Sequence, residues 1–310
     1  MKKFKKLAAV LMSCAGCAAL LCGCGDKDQA AAGIAGDDGV FTIAYAPNES
    51  TASASDARKG LSDDLSKYLG VKVAEIHATD YNAIIEALRT GKAEMAYMGS
   101  QALALGLKRT KLEPIVMKAA EGKKENAVYH SDFIVKADNK DINGIKDFKG
   151  RTIAFVDPGS TSGNLVPSAE IMKALPELKL SSDDLHTNGK FFSGVTFSGT
   201  HQAGLQAVLK GDVDIAPISD QILASEIEHG NAPRDGVRVI FKSAPIPSEC
   251  MVASEKLSPE DRQKLRDFLV KYDNEKYFDD VIKLPHSRFV EASMADYQPI
   301  VDLSNLINGK

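Results

Sequence analysis

Tryptophan is absent from this chain, and cysteine is nearly absent beyond its first 24 residues. Four of the five cysteines lie within that opening stretch, and Cys250 alone follows it. A single thiol cannot form an internal disulfide, so packing must stabilise the fold. We interpret Cys250 as a small buried hydrophobic residue and not as a catalytic thiol.

An excess of basic charge is also missing. The formal net charge is −4, which argues against nucleic acid as a partner. It does not argue against a small anionic ligand, because local donors hold an ion in a closed cleft. The six histidines show no metal-ligand spacing, so we expect neither a metal nor a cofactor.

The sequence lacks an apolar run long enough to span a membrane. Residues 7–21 are apolar, but they follow four lysines and are too short for a stable spanning helix. The Leu-Cys-Gly-Cys order that ends at Cys24 resembles a bacterial lipobox. That resemblance implies a signal peptide over residues 1–23 and lipidation of Cys24, with a plain secreted protein cut elsewhere as the alternative. Residues 24–39 are small and polar and predict a flexible tether.

Two segments of the chain repeat each other. Residues 42–51 (TIAYAPNEST) read again as residues 152–161 (TIAFVDPGST) at an offset of 110, with five of ten positions identical. Residues 81–100 match residues 201–220 at an offset of 120 and keep the same apolar pattern. Each copy reads as a strand, a Ser-Thr turn, helices, a glycine and a short strand. We therefore predict two similar α/β lobes that grip a small ligand between them.

The lobes are expected to be discontinuous in sequence. Residues 40–129 together with residues 246–310 form the predicted first lobe, and residues 130–245 form the second. The alternation of strands and helices predicts parallel sheets with right-handed crossovers. Because the chain crosses between the lobes twice, we expect a hinge of two strands that permits closure.

Some elements are predicted individually. Residues 165–175 read as a helix with Pro167 in its first turn, and residues 191–197 read as a strand. Residues 257–272 form an amphipathic pattern with Ser258 as its N-cap. The C-terminal remainder is expected to pack on the first lobe.

The sequence PGSTSG between a strand and a helix is the strongest candidate for a binding loop. Its glycines permit a tight turn, and Ser160, Thr161 and Ser162 can donate to oxygen atoms. The helix start adds free N–H groups and a positive dipole end. Helix capping alone is the alternative, but the matching Ser50-Thr51 turn in the first lobe favours a cradle for a tetrahedral oxyanion.

A hydrolase is a weaker interpretation of the same loop. The sequence GSTSG resembles the Gly-x-Ser-x-Gly nucleophile elbow, but its central residue is Thr161 instead of serine. We therefore assign no catalytic residue and do not expect an enzyme.

Other polar side chains are placed at the cleft by their position. His201 begins the repeated helix of the second lobe, where it can donate to an anion or serve a structural role. Asp220 follows the carboxyl end of a strand, where open α/β sheets bind ligands, and Ser100 is its counterpart in the first lobe. The tyrosines that can line the cleft or pack in the core are Tyr45, Tyr97 and Tyr129.

Residues 157–167 (DPGSTSGNLVP) come close to the pattern D-P-x-S-T-S-G-x-L-x-P. Together with the DY pair at residue 80, the YMGS turn at residue 97, His201 and SAPIP at residue 243, they make the chain resemble a known family. It is similar, over nearly the whole mature region, to the phosphate, phosphite and phosphonate substrate-binding proteins of ABC transporters.

This resemblance implies roles for particular residues. The Ser-Thr-Ser triplet and His201 would bind the phosphoryl or phosphonyl oxygens, and Tyr97 would contact the ligand. Asp220 and Glu249 would contact the ammonium group of an aminoalkylphosphonate. Glu249 stands where the family commonly has aspartate, which leaves the organic substituent open.

The resemblance also implies a type II periplasmic-binding-protein fold and a function. We expect a monomeric, lipid-anchored protein at the outer face of the bacterial cell membrane, where it delivers a small anion to an ABC permease. The alternatives are the same fold binding a sulfonate or a cofactor precursor, a sensor, or an enzyme on this fold.

Overall fold

The computed structural model describes residues 33–49, 52–307 and 309. The predicted signal peptide, the lipidation site Cys24, most of the tether and the Ser50-Thr51 pair lie outside the described residues. Among the residues that the structure does describe, no helix is both long and apolar enough to cross a membrane.

The strands and helices alternate along most of the chain. The strands are β1 (Val40–Tyr45), β2 (Lys72–His77), β3 (Met95–Met98), β4 (Leu112–Ala120), β5 (Val128–Tyr129), β6 (Ser131–Lys136), β7 (Thr152–Phe155), β8 (Gly194–Phe197), β9 (Ile215–Ser219), β10 (Val237–Lys242), β11 (Ile246–Pro247), β12 (Cys250–Ser254) and β13 (Ser287–Glu291). The α-helices are α1 (Ser55–Leu69), α2 (Tyr81–Thr90), α3 (Ser100–Leu107), α4 (Val166–Ala174), α5 (Ser182–His186), α6 (His201–Lys210), α7 (Asp220–Glu228), α8 (Pro259–Leu269), α9 (Glu275–Asp280) and α10 (Met294–Ile307).

Two mixed sheets form the centres of two lobes, as the α/β prediction required. The first sheet has the order β13-β4-β12-β3-β1-β2, and the second has the order β10-β6-β9-β7-β8. In each sheet the strand next to one edge, β1 or β7, pairs in parallel with its two neighbours. The remaining strands pair antiparallel, so the predicted parallel arrangement holds only for the repeated unit.

A short antiparallel ribbon joins the lobes. Strand β5 pairs with β11, and Tyr129 lies opposite Ile246. These strands carry the chain out of the first lobe and back into it, which confirms the two-strand hinge expected from two crossings.

The sequence repeat is visible in one hydrogen bond made by β1 and its counterpart made by β7. The Thr42 N–H donates to Glu94 Oε2 at 2.7 Å, and the Thr152 N–H donates to Asp214 Oδ2 at 2.8 Å. Each carboxylate precedes the next parallel strand of its own sheet. The two lobes therefore use the same contact to fix the same pair of strands.

Helices α2 and α6 also end in the same way. Gly91 and Gly211 adopt positive φ angles of 74° and 80°, a conformation that glycine takes without the steric strain that a Cβ would cause. At the other end, the side chains of Asp80 and Thr200 accept from backbone N–H groups in the first turn. The repeated glycine thus marks a real helix stop in both lobes.

Both faces of each sheet are covered, and the central strands are buried. Cys250 lies in β12 and is fully buried, which confirms its interpretation as a core residue. Burial raises the pKa of its thiol to about 12. The C-terminal remainder packs on the first lobe, as expected, because β13 pairs with β4.

The second lobe departs from prediction near the binding loop. A π-helical turn at Thr161–Leu165 precedes α4, which begins at Val166. Strand β8 is shorter than predicted, because Phe191 and Phe192 turn into the core of the second lobe instead of extending the sheet.

Candidate functional site

A cavity lies between the lobes, beyond the carboxyl ends of the parallel strands β1, β3 and β7. Its empty space is about 300 Å³ when the part open to solvent is included, so the cavity suits a small ligand. The first lobe lines it with Ala46, Asn48, Glu49, Tyr81, Tyr97, Met98, Gly99 and Glu249, the hinge with Tyr129, and the second lobe with Ser160, Thr161, Ser162 and His201.

The hydroxyl-rich loop after β7 is held by its own hydrogen bonds. The Gly159 N–H donates to Asp157 Oδ1 at 2.7 Å, and the Gly163 N–H donates to Ser160 Oγ at 3.1 Å. A Cβ added at Gly163 would lie 2.3 Å from Val156 Cγ2, so only glycine fits where the loop crosses its own strand. The loop therefore presents three consecutive hydroxyl groups to the cavity from a fixed base.

Thr161 joins this loop to the first lobe. Its Oγ1 accepts from the Gln101 N–H at 2.9 Å and lies 3.5 Å from Ser100 Oγ. Both partners belong to the first turn of α3, where unpaired N–H groups carry partial positive charge. Ser100 is buried and contacts Thr161 without lining the cavity. Because the threonine oxygen accepts from a backbone N–H, its own hydroxyl hydrogen is left to donate.

The hydrogen bonds of His201 fix its protonation. Its Nδ1 accepts from the Ser219 N–H at 3.2 Å, so the ring proton lies on Nε2. Burial lowers the pKa of His201 to about 3, and the ring is neutral at neutral pH. Nε2 lies 3.5 Å from Ser162 Oγ, so it presents an uncharged donor beside the serine triplet.

Three buried tyrosines surround the same space. Desolvation raises the pKa of Tyr81, Tyr97 and Tyr129 well above its ordinary value, so each phenol keeps its proton and can donate. Tyr129 hydrogen-bonds the side chains of Ser162 and Thr161. The Tyr97 hydroxyl is buried and has no hydrogen-bond partner among the described residues, which is the state expected of a ligand contact.

Glu49 adds an acid whose charge is suppressed. Burial, together with the nearby carboxylate of Glu249, raises its pKa to about 8, while Lys118 opposes the shift. Glu49 Oε2 has no hydrogen-bond partner among the described residues. At neutral pH the group is mainly a protonated acid, which donates a hydrogen bond from inside the cavity.

Glu249 lies against a lysine of the first lobe. Its Oε2 is 2.8 Å from Lys118 Nζ, and the side chains are 15% and 4% exposed. The contact is an ion pair without hydrogen-bond geometry, so Oε2 has no hydrogen-bond partner among the described residues. The lysine does not line the cavity. The cavity wall at this point is therefore a buried ion pair in which the Glu249 carboxylate faces the cavity and Lys118 lies behind it.

A family model for the periplasmic phosphonate substrate-binding proteins of ABC transporters matches residues 43–297, well over half of the chain. This chain belongs to that family. The phosphate-import protein PhnD of Mycolicibacterium smegmatis is 29% identical over 277 residues, which cover 87% of this chain and 84% of the relative.

Solved structures agree with the fold of this substrate-binding protein. A binding-protein component of an ABC phosphonate transporter from Pseudomonas aeruginosa has a TM-score of 0.72 at 26% identity, covering 87% of this chain and 86% of its own. PhnD1 from Prochlorococcus marinus in complex with methylphosphonate has a TM-score of 0.72 at 18% identity, covering 88% of this chain and 99% of its own. Type II periplasmic-binding architecture is therefore the fold of this family member.

Two predicted cleft residues of this substrate-binding protein lie elsewhere. Tyr45 is packed in the first lobe's core, where its hydroxyl is 3.2 Å from that of Tyr277. Asp220 begins α7 outside the cavity, accepts from the His130 N–H at 3.0 Å and pairs with Lys242 at 2.9 Å. The expected pairing of Asp220 with Glu249 around one ligand ammonium is therefore wrong, because the Asp220 carboxylate is engaged beside the hinge.

Several lining residues were missed by sequence reasoning. Tyr81 lies at an offset of 120 from His201, and each begins a helix and faces the cavity, so the repeat itself carried the signal. Asn48 and Glu49 precede the Ser-Thr turn, and their counterparts in the second lobe are proline and glycine. Nothing in the sequence marked Lys118, which lies behind the cavity wall. It approaches Glu249 because strand β4 pairs with the distant strand β12.

One group of possible metal ligands occurs among the described residues, away from the cavity. Ligand atoms of His229, Asp279 and Asp280 lie within 4.8 Å of one another. Lys276 pairs with Asp280, and His229 Nε2 is 3.7 Å from Asp279.

Proposed function

We propose that this chain is a lipid-anchored solute-binding protein of an ABC importer that captures a phosphonate, phosphite or phosphate between its lobes. Closure would surround the oxyanion with hydroxyl, phenol and imidazole donors and remove it from water. The loaded form would then dock on a membrane permease. The names of the relatives support this, since one is a phosphate-import protein and another was solved with methylphosphonate.

The observation that carries the proposal is the convergence of uncharged donors on one small cavity. Ser160, Ser162, His201 Nε2 and the unpartnered Tyr97 hydroxyl all border it. Charge-assisted hydrogen bonds from such groups are strong enough to hold a buried anion without a bound counter-ion.

The carboxyl groups favour a phosphorus oxyanion over a sulfonate. A singly protonated phosphonate or phosphate carries a P–OH group that donates to a carboxylate such as Glu249. A sulfonate has no such proton, so it would leave that acceptor facing its own negative charge. The geometry therefore supports the phosphorus compounds over the alternative anion.

A catalytic role for Ser162 and His201 is disfavoured by the tautomer. A general base must accept the serine proton at Nε2, but Nδ1 already accepts from the Ser219 N–H, so Nε2 holds the ring proton. The lowered pKa of His201 makes the imidazole a weaker base still. The pair is suited to binding and not to nucleophilic attack.

Calorimetric titration of the protein that starts after Cys24 tests the ligand class. We expect binding of methylphosphonate, phosphite or phosphate, and at least tenfold weaker binding of an alkyl sulfonate. Binding of none of the phosphorus compounds would contradict the proposed function. In the full chain, Cys24→Ala should abolish metabolic labelling with a fatty acid.

The serine-threonine loop is tested by the double variant Ser160→Ala with Thr161→Ala. Losing two hydrogen bonds to a charged ligand should weaken binding by about 100-fold or more. The matched double variant Ser182→Ala with Thr187→Ala alters the same residue types away from the cavity and should bind normally. Unchanged affinity in the first variant would remove the loop from the site.

A further inference from the structure

The Lys118–Glu249 ion pair at the cavity wall affects which ligands the cavity can bind. Lys118 is buried in β4, and its Nζ lies 2.8 Å from Glu249 Oε2 and 3.4 Å from the Ile282 carbonyl oxygen. The same ammonium lies 5.8 Å from the ring centroid of Tyr129. Glu249 and Tyr129 line the cavity, whereas Lys118 does not. The protein thus places its own ammonium directly behind the carboxylate that faces the ligand.

We propose, resting on the function proposed above, that Lys118 is a specificity-determining residue that occupies Glu249 as an internal counter-ion, so that the cavity favours phosphorus oxyanions without an amino group. An aminoalkylphosphonate would have to share the Glu249 carboxylate with the lysine. It would also bring a second positive charge towards an ammonium that cannot move away into water.

Burial strengthens this competition. The lysine side chain is 4% exposed, so solvent screens its repulsion for a ligand ammonium only weakly. The backbones hold it in place, because the Lys118 N–H donates to the Glu249 carbonyl oxygen at 3.2 Å. If the lysine moved away, the buried Glu249 carboxylate would lose its counter-ion, which is strongly unfavourable.

The second carboxyl group of the cavity does not replace the first. Glu49 is buried at 9% exposure, and its pKa is raised to about 8, so at neutral pH it is mainly a donor. Its O–H suits an oxygen of a phosphonate, and the neutral carbonyl oxygen that remains is a weaker acceptor for an ammonium than a carboxylate is. Among the described lining residues, no other acidic side chain faces the cavity.

Two ligands of equal size separate charge from shape. Propylphosphonate and 2-aminoethylphosphonate have the same number of non-hydrogen atoms and differ at the terminal group. By calorimetric titration at pH 7, we expect wild-type protein to bind propylphosphonate at least about tenfold more tightly. Tighter or equal binding of the amino compound would overturn the proposal. Failure of the protein to bind either ligand would overturn it as well, because the size of the ligand and not its charge would then determine binding.

Variants assign the discrimination to the lysine. Lys118→Met removes the counter-ion of Glu249 and should shift the ratio of the affinities for the two ligands at least tenfold towards 2-aminoethylphosphonate. The control is Lys124→Met, which removes a lysine that pairs with Asp296 and should leave this ratio unchanged. An unchanged ratio in Lys118→Met would overturn the proposal.

A second variant covers the case in which Lys118→Met does not fold. Lys118→Met with Glu249→Gln removes both charges and leaves no unpaired ion. It should bind the two isosteric ligands within about threefold of each other, and persistence of the full discrimination would overturn the proposal. If phosphite, phosphate and methylphosphonate also fail to bind wild-type protein, the proposed function itself fails, which is a different result.

Discussion

His201 acquires its chemistry from one backbone hydrogen bond. The Ser219 N–H at the end of β9 occupies Nδ1 and thereby makes Nε2 a donor at neutral pH. A sequence can indicate that a histidine begins a helix, but the tautomer depends on a strand 18 residues away that folds alongside it.

Replacing this donor should weaken binding without unfolding the protein. We expect His201→Ala to lower methylphosphonate affinity by about 10–100-fold, because one hydrogen bond to a charged group contributes about 1.5–3 kcal/mol. The exposed His286 provides the control, and His286→Ala should bind like wild type. Equal affinities in a titration of both variants would contradict the donor role.

Glu49 should make anion binding depend on pH. Below its raised pKa of about 8 the acid is protonated and donates to the ligand; above it the group is ionised and repels the ligand. Affinity should therefore fall as pH rises through about 8, by up to about tenfold per unit. Glu249, Lys118 and Lys283 also act on this group.

The control for this prediction is Glu49→Gln. Comparing wild type with the variant between pH 7 and pH 9 cancels the titration of the ligand itself. Parallel curves would show that Glu49 does not change its protonation state in this range.

The binding loop is an element whose shape depends on glycine. A Cβ at Gly163 would lie 2.3 Å from Val156 Cγ2 and 2.8 Å from Ser160 Oγ. Gly163→Ala should therefore displace the loop, lower the free energy of unfolding by about 1–3 kcal/mol and weaken ligand binding. Gly144→Ala has no atom within 4 Å of the new Cβ and should change neither quantity. Thermal unfolding and titration of both variants test this.

The repeated elements were predictable because their signals are local. Strands β1 and β7, helices α2 and α6 and their terminal glycines follow from the apolar period, the capping residues and the left-handed stops. Strands β4 and β13 were not predicted, since neither belongs to the repeat and each depends on pairing with distant chain.

The site residues also differ in whether local sequence or long-range strand pairing determines their positions. The loop residues Ser160, Thr161 and Ser162 line the cavity, and a contiguous motif predicted that position. The surroundings of Lys118 and Asp220 were not predicted, because their partners, Glu249 and Lys242, are fixed by strand pairing across long sequence separations.

At the scale of the molecule, the lobes contact each other directly across the cleft. The His201 N–H donates to Asn48 Oδ1 at 3.1 Å, and the Gln101 N–H donates to Thr161 Oγ1 at 2.9 Å. The second bond ends on the Ser-Thr-Ser triplet itself, and the first begins at His201, whose ring lies 3.5 Å from Ser162 Oγ. The closed arrangement is therefore stabilised partly by the protein itself, and a ligand adds to an existing set of contacts.

Closure should fail when backbone contact across the cleft is blocked. A Cβ at Gly159 would lie 2.7 Å from Tyr81 Cβ in the other lobe, so Gly159→Ala should hold the lobes apart while each remains folded. We expect at least tenfold weaker methylphosphonate binding and a melting temperature close to wild type.

Small-angle scattering measures the separation directly. Saturating methylphosphonate should reduce the radius of gyration of wild type and of Gly60→Ala, whose new Cβ meets only Asn274 Nδ2 at 3.5 Å. The same reduction in Gly159→Ala would show that the lobes close despite the added methyl group.

The buried thiol of Cys250 has a practical consequence. The protein that starts after Cys24 contains no other cysteine, and a fully buried thiol with a pKa of about 12 reacts slowly with maleimides. A dye can therefore be attached to one cysteine introduced at the rim of the cleft without first replacing the native one. A dye at that position would report closure of the lobes on a ligand as a change in fluorescence.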